Sequence, residues 1–395
     1  MNALVDTLLW LPVGLGVYAY VGYPVLLRVV AKLRRAPMAP VEPAQWPYIT
    51  ITVPCYNEER NVAATLERLL QLEYPADRRQ ILVISDASTD RTDEIVRGFA
   101  DRGVDLLRLE TRRGKSAAEN AAGPVARGEI IVNTDATIRI LPNALKALVR
   151  SFTNPNVGVA SGRDVSVAAA DIDNEVASRS QRTSGESGYV GYEMGIRALE
   201  TRVGSIVGAS GCFYGIRRDL YDSGFPESLS RDFASALMVR ERGYCAVSVD
   251  EALCLVPRTS VLQAEFQRKI RTMARGLQTL WYKRALLNPF RYGAFAWMLF
   301  SHKLCRWLVY PALPLAAAAL VIKSVHSPFW LVVLIAAVAG VIVGTIGMRW
   351  PRGKPAPGVI TLAGFGLASN VAGMLAWLRV LRNQRAAVWE PTRRT

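Results

Sequence analysis

Tyr48-Ile49-Thr50-Ile51-Thr52-Val53-Pro54-Cys55-Tyr56-Asn57-Glu58-Glu59 is the stretch on which the fold turns. Residues 48–53 are apolar or β-branched, as a buried strand requires. Pro54 ends the run, and an acidic loop follows at once. The same grammar recurs downstream. Asn61–Leu72 carries Val62, Leu66, Leu69 and Leu70 at helical spacing; Gln80–Ile84 reads as a strand and Thr89–Ala100 as a helix. Asp105–Leu109 and Glu129–Val132 are further strands, with helices over Lys115–Val125 and Leu141–Phe152. Strands alternating with helices predict an α/β fold, a mostly parallel sheet with helices on both faces.

Ligands of such sheets sit at the carboxyl ends of the strands. Three of those ends carry carboxylates: Cys55-Tyr56-Asn57-Glu58-Glu59, Ser85-Asp86-Ala87-Ser88-Thr89-Asp90, and Asn133-Thr134-Asp135-Ala136-Thr137. Singly, such residues also serve as caps of the next helix. Together they form an acidic cleft, and a phosphorylated ligand there calls for a divalent cation between. Neither a Walker A loop nor a GxGxxG follows the first strand, which speaks against P-loop and dinucleotide enzymes.

Composition places this block in a membrane setting. The chain has 395 residues, of which 51% are hydrophobic, and a net charge of +15. Residues 266–395 hold 18 Lys/Arg and one Glu, so the remainder, with 30 basic and 32 acidic residues, is near neutral. The basic part is also the most apolar part, which indicates an anionic membrane face and no nucleic-acid partner. Leu308–Ile322, Ser324–Met348 and Pro355–Leu378 are apolar runs of spanning type, the first extended if Arg306 and Lys303 snorkel. Leu8–Leu27 precedes Arg28, Lys32, Arg34 and Arg35, the reverse of a signal-peptide order, and reads as an uncleaved anchor. The five cysteines form no CxxC pair, excluding a disulfide scaffold or zinc ribbon.

The expected division is an anchor over 1–35, a cytoplasmic catalytic block over 45–265, basic interfacial helices over 266–307, membrane segments over 308–381 and a basic tail over 382–395. The positive-inside rule puts the N-terminus outside and 45–265 in the cytoplasm, at the inner (plasma) membrane of a multi-pass protein. Whether the last run crosses or lies at the interface stays open.

The motifs resemble those of membrane-embedded family-2 glycosyltransferases, relatives of cellulose, chitin-oligosaccharide and hyaluronan synthases. Val53 to Glu59, Tyr74 to Asp77, Ile84 to Thr92, Arg113 to Ala118, Asn133 to Thr137 and Gly208 to Gly211 carry the likeness, with the Asp232 region and Gln267–Gly276. The resemblance implies a GT-A (Rossmann-like) catalytic domain flanked by transmembrane helices. It implies inverting transfer from a UDP-sugar to a lipid-linked or glycan acceptor, with Mg²⁺ or Mn²⁺. By motif position, Pro54, Tyr56 and Glu58 look like the first nucleotide loop, and Asp86 like the carboxylate that reads uracil and ribose. Lys115 looks like the cation near the diphosphate, where a solvated helix-start lysine is the plainer alternative. Asp135 looks like the first metal-binding Asp of a DxD motif. The third position here is Thr137, a neutral and weaker ligand.

Asp232 looks like the general base, with a helix N-cap as the plainer alternative. The family usually has an acidic residue before this Asp; here Arg231 stands there. Arg268 and Arg271 fall in the QxxRW-like stretch and would clamp diphosphate, although Thr272 stands where the Trp belongs. A basic helix lying on anionic lipid fits Phe266–Arg284 equally well. Ser301–Trp307 reads as a second interfacial turn. Single or short-oligomer transfer is favoured over a processive synthase, and a catalytically weak membrane scaffold is the remaining alternative.

Overall fold

A computed structural model describes residues 2–34, 40–168, 172, 185–258, 262–351 and 357–384. Arg35 and the tail from Arg385 lie outside the described residues. The chain divides into two compact units, one of Met1–Leu26, Ser260–Gln278 and Ala296–Ala386, the other of Leu27–Thr259, Thr279–Phe295 and Ala387–Thr395.

The second unit is built on eight strands: β1 (Ile49–Cys55), β2 (Arg79–Ser85), β3 (Val104–Arg108), β4 (Ile130–Thr134), β5 (Arg139–Ile140), β6 (Val157–Ala168), β7 (Phe213–Arg217) and β8 (Cys245–Arg258). Their order is β3-β2-β1-β4-β7-β6-β8-β5. β3, β2, β1 and β4 run parallel, as the alternation of strands and helices requires. β1 and β4 are buried along their whole length, because helices cover both faces. Val62, Leu66 and Leu69 of helix Val62–Leu70 pack on Ile51, Val53 and Val83, the face that the helical spacing assigned to the core. Inside the sheet the hydroxyls are paired: Thr50 Oγ1 donates to Gln80 Oε1 at 2.8 Å and Thr52 Oγ1 to Asn133 Oδ1 at 2.9 Å.

The sheet extends past the expected four strands. β7 pairs antiparallel with both β4 and β6, and β6 runs parallel to β8. Polar residues such as Arg163, Asp164 and Ser166 interrupt β6, so its pattern has no clean apolar signature. A 19-residue helix, Gly185–Val203, follows β6 in the chain and precedes β7.

The first unit is helical. Four helices are long and apolar enough to cross a membrane: Ala3–Leu33, Ala294–His326, Pro328–Met348 and Gly358–Leu381. The last is a 24-residue helix, so the final apolar run has spanning length. Two expectations change here. Arg306 does not snorkel: it is 5% exposed and its guanidinium lies 4.8 Å from the centroid of the Tyr20 ring. Ser301–Trp307 is not a turn but part of a continuous helix with a π segment at Phe300–Leu304, where Ser301 meets Tyr18 Oη at 2.7 Å. The side chains inside thus find partners on Ala3–Leu33, which removes the need to reach for water. Only Ser327 separates helix Cys305–His326 from the next, which Pro328 starts.

Pro328–Met348 and Gly358–Leu381 approach until backbones touch. A Cβ on Gly347 would lie 2.3 Å from Ile360 O, and one on Gly364 2.7 Å from Gly347 C. Close approach of this kind replaces the hydrophobic drive that lipid does not supply. Gly347→Val should force the helices apart at a cost of about 1–3 kcal/mol, the usual penalty of overpacking. Thermal unfolding in detergent checks this, and an unchanged midpoint would contradict it.

Candidate active site

The carboxyl ends of β1 and β2 are joined before any ligand is considered. Asn57 Oδ1 accepts from Thr89 N at 2.8 Å, Asn57 N donates to Ser88 Oγ, Glu58 N donates to Thr92 Oγ1 at 2.8 Å, and Glu59 N donates to Asp90 Oδ2. Two non-glycine residues, Asn57 (φ 54°) and Ala87 (φ 57°), hold the left-handed region in these loops. Such strain persists where the surroundings over-determine it, and it concentrates at functional sites.

Within the first loop, Pro54 is buried in β1 and Glu58 is buried, accepting from Asn61 Nδ2 at 2.9 Å. Tyr56 is half-buried, with the Arg112 guanidinium 3.8 Å from its ring centroid. Asp86 is 2% exposed. Its two oxygens accept from Arg113 N at 2.8 Å and Gly114 N at 2.7 Å. Asp86 thereby fixes the 112–114 loop, with Gly114 at φ 96°, immediately ahead of helix Lys115–Val125.

That helix presents Lys115 to the end of β4. Lys115 Nζ donates to Asp135 Oδ1 at 2.5 Å and to Gly211 O at 2.8 Å. Its side chain is 18% exposed, so the solvated alternative does not describe it. Burial works against the ammonium, yet Asp135 and then Glu119 hold its pKa above the ordinary lysine value. Glu119, one helical turn on, is buried 3.9 Å from Lys115 Nζ. Burial pushes its carboxyl upward, and the neighbouring Lys115 and Arg231 oppose that.

Asp232 comes to the same place from the other half of the sheet. It lies in the first turn of helix Arg231–Glu241, and Ser230 Oγ donates to Asp232 Oδ1 at 2.6 Å. Ser230, not Asp232, holds the N-cap position. A Cβ on Gly211 would lie 2.6 Å from Asp232 Oδ2, so only glycine lets the 208–211 segment pass between Asp232 and Lys115. One ammonium, two carboxylates and a backbone carbonyl converge here.

Among the described residues no three His, Cys, Asp or Glu side chains gather around one point. Arg268 and Arg271 lie on helix Leu262–Tyr282, where Arg268 makes a bidentate pair with Glu265 at 2.6 and 2.8 Å. Of the expected site residues, Lys115 and Asp135 are in direct contact, Asp232 lies against Gly211 beside them, and Asp86 holds the loop ahead of Lys115. Sequence reasoning passed over Glu119, although its spacing of four from Lys115 on a helix was readable. It also passed over Arg112, Asn57 and Ser230.

Residues 50–225 match the model of glycosyl transferase family 2. Poly-beta-1,6-N-acetyl-D-glucosamine synthase of Staphylococcus epidermidis is 32% identical over 158 residues, 39% of this chain and 38% of that protein. Beta-monoglucosyldiacylglycerol synthase of Nostoc sp. is 28% identical over 184 residues, 45% of this chain and 37% of that protein. The chain thus matches less than two fifths of the length of either relative. Among solved structures, the mannosyltransferase PcManGT of Pyrobaculum calidifontis, in complex with GDP-Man and Mn²⁺, superposes with a TM-score of 0.70 at 23% identity. The alignment covers 95% of this chain and 99% of that one. That likeness is one of fold, and it bears out the GT-A architecture flanked by apolar helices.

Asp90 closes the loop zipper, accepting from Thr92 N and Oγ1 as well as Glu59 N. Partial burial raises its carboxyl, and these hydrogen bonds outweigh that and hold it below the usual range. A depressed carboxylate stabilises the fold above its unfolded pKa of about 3.9, and the contribution is lost as pH falls through the folded value. Asp90→Ala should lower Tm by about 2–4 °C at pH 7, the shift of roughly 1 kcal/mol after discounting for exposure. The difference between variant and parent should close at acid pH; melts across the acid range give the comparison.

Proposed function

We propose that the chain is a membrane-bound inverting glycosyltransferase that moves a sugar from a UDP-sugar to a lipid-linked or glycan acceptor. The single observation that carries this reading is the convergence of Lys115, Asp135 and Asp232 around Gly211 inside a family 2 domain. The named activities of the matched synthases support it.

Asp232 is the base. Its carboxylate takes the proton from the acceptor hydroxyl as that oxygen attacks the anomeric carbon, and the bond to the diphosphate breaks on the opposite face. Lys115 holds the diphosphate as charge develops on it. Tyr56 and Asp86, with Pro54 and Glu58 shaping the loop from inside, seat the nucleoside. One carboxylate plus diphosphate oxygens and water is the donor set that Mg²⁺ or Mn²⁺ takes, and Asp135 fits it, with the Thr137 hydroxyl beside it in sequence. The bound ion would neutralise part of the leaving-group charge. The Mn²⁺ in the mannosyltransferase complex supports a divalent requirement.

Hydrolysis and transfer assays on detergent-purified protein, screened over several UDP-sugars with and without chelator, test the reading. Turnover should need the divalent ion. Asp232→Asn should keep nucleotide binding and folding while transfer falls by at least ~10². Near-parental transfer by that variant would move the base elsewhere.

The same reading places 45–265 in the cytoplasm at the inner membrane, behind an N-terminal anchor whose basic flank stays inside. Reporter fusions at residue 200 and at Ser327 should report opposite compartments. Matching compartments would overturn this topology.

A further inference from the structure

Among the described residues, Arg231 is the largest side chain that is fully buried. It stands immediately before the proposed base, where the sequence pattern expects an acid. Its guanidinium donates to Asn120 Oδ1 and Asp222 O, and lies 4.4 Å from the Tyr221 ring centroid. Its Nε lies 3.9 Å from Glu119 Oε2, while Glu119 Oε1 lies 3.9 Å from Lys115 Nζ. Asn120 Nδ2 in turn donates to Phe225 O, and Ser116 Oγ to Leu229 O. The helix that presents Lys115 is therefore bound to the helix start that presents Asp232, and the charged link between them is Glu119.

We infer that Glu119 and Arg231 are a positioning pair that sets the spacing between Lys115 and Asp232, and hence between leaving diphosphate and attacking hydroxyl. The inference rests on the function proposed above. A buried carboxylate between two buried cations is costly unless both stay close. Neither 3.9 Å contact is a hydrogen bond, and Glu119 Oε1, Arg231 Nε, Arg231 Nη1 and the Tyr214 hydroxyl have no hydrogen-bond partner. A movement of about 1 Å would turn either contact into a hydrogen bond. When a diphosphate draws Lys115 off Asp135, Glu119 is the carboxylate still holding the ammonium, so Lys115 turns toward the ligand from a fixed root. Arg231, pinned through the same carboxylate, keeps the first turn of its helix, and with it Asp232, from following. The pair acts through Lys115 and Asp232 and touches no reacting atom. It also gives Arg231 a reason to be present that does not require loss of activity.

The experiment is steady-state kinetics on the full chain in detergent with the UDP-sugar that the parent turns over, alongside melting temperatures. Glu119→Gln keeps shape and removes charge. It should lower kcat about 10- to 100-fold, as misplacement by about 1 Å does. The donor KM should change by less than about threefold, because ground-state binding is retained. Glu119→Leu combined with Arg231→Met removes both charges and should bring the melting temperature back toward the parent, as apolar replacements of buried pairs do. Its kcat should stay depressed. Recovery of kcat together with stability would reduce the pair to a packing solution and overturn the inference, as would an unimpaired Glu119→Gln. If Glu119→Gln does not fold, the double variant decides. A parent without turnover on any UDP-sugar would instead remove the proposed function itself.

Discussion

The contact between Lys115 and Asp135 is the constraint on which the catalytic unit depends. It joins the end of β4 to a helix that follows β3, and through Gly211 it fastens the antiparallel half of the sheet to the parallel half. An ammonium buried to this degree needs a carboxylate within reach, and a carboxylate so placed needs the cation. The rest follows outward. Asp86 locks the loop ahead of Lys115, Glu119 backs it one turn on, and the 208–211 segment must be narrow enough to pass between Lys115 and Asp232. Asp135 is thus already paired with an internal cation.

The parallel half of the fold was legible because its strands are buried on both faces and read as short apolar runs, each ended by a polar loop. Tyr48–Val53 and Gln80–Ile84 fall within a residue or two of β1 and β2. β6 and β8 were not legible, since mixed polar residues along them obscure any alternation. The polar loops gave the candidate site for the same reason the strands gave the sheet: acids at three consecutive carboxyl ends have no role in a core. The helical unit was legible in hydropathy but not in its ends. Arg306 looked like a span boundary because charge at a helix end usually finds water, and a tyrosine on another helix supplied the partner instead.

Pairing across long sequence separations was the part that no local pattern encodes. Arg231 reads as an oddity when only its neighbour Asp232 is considered. Its partner Glu119 lies on a different helix, and Asn120 beside it holds the same guanidinium. A helix cap stood as the plainer alternative to a base at Asp232 for a similar reason: Ser230 lies two residues earlier, and only the backbone geometry shows that it takes the N-cap position.

The cross-linked loops after β1 and β2 carry one more implication. Asn57, Ser88, Thr89, Asp90 and Thr92 bind one another and not solvent alone, and Asn57 and Ala87 stay in backbone conformations that a free chain rarely visits. The conformational entropy of this corner is therefore given up when the protein folds, not when a ligand arrives. A ligand entering there would meet a wall already assembled, so its association would be governed by shape and by the loss of its own freedom. The fold itself serves as the template on which recognition is cast.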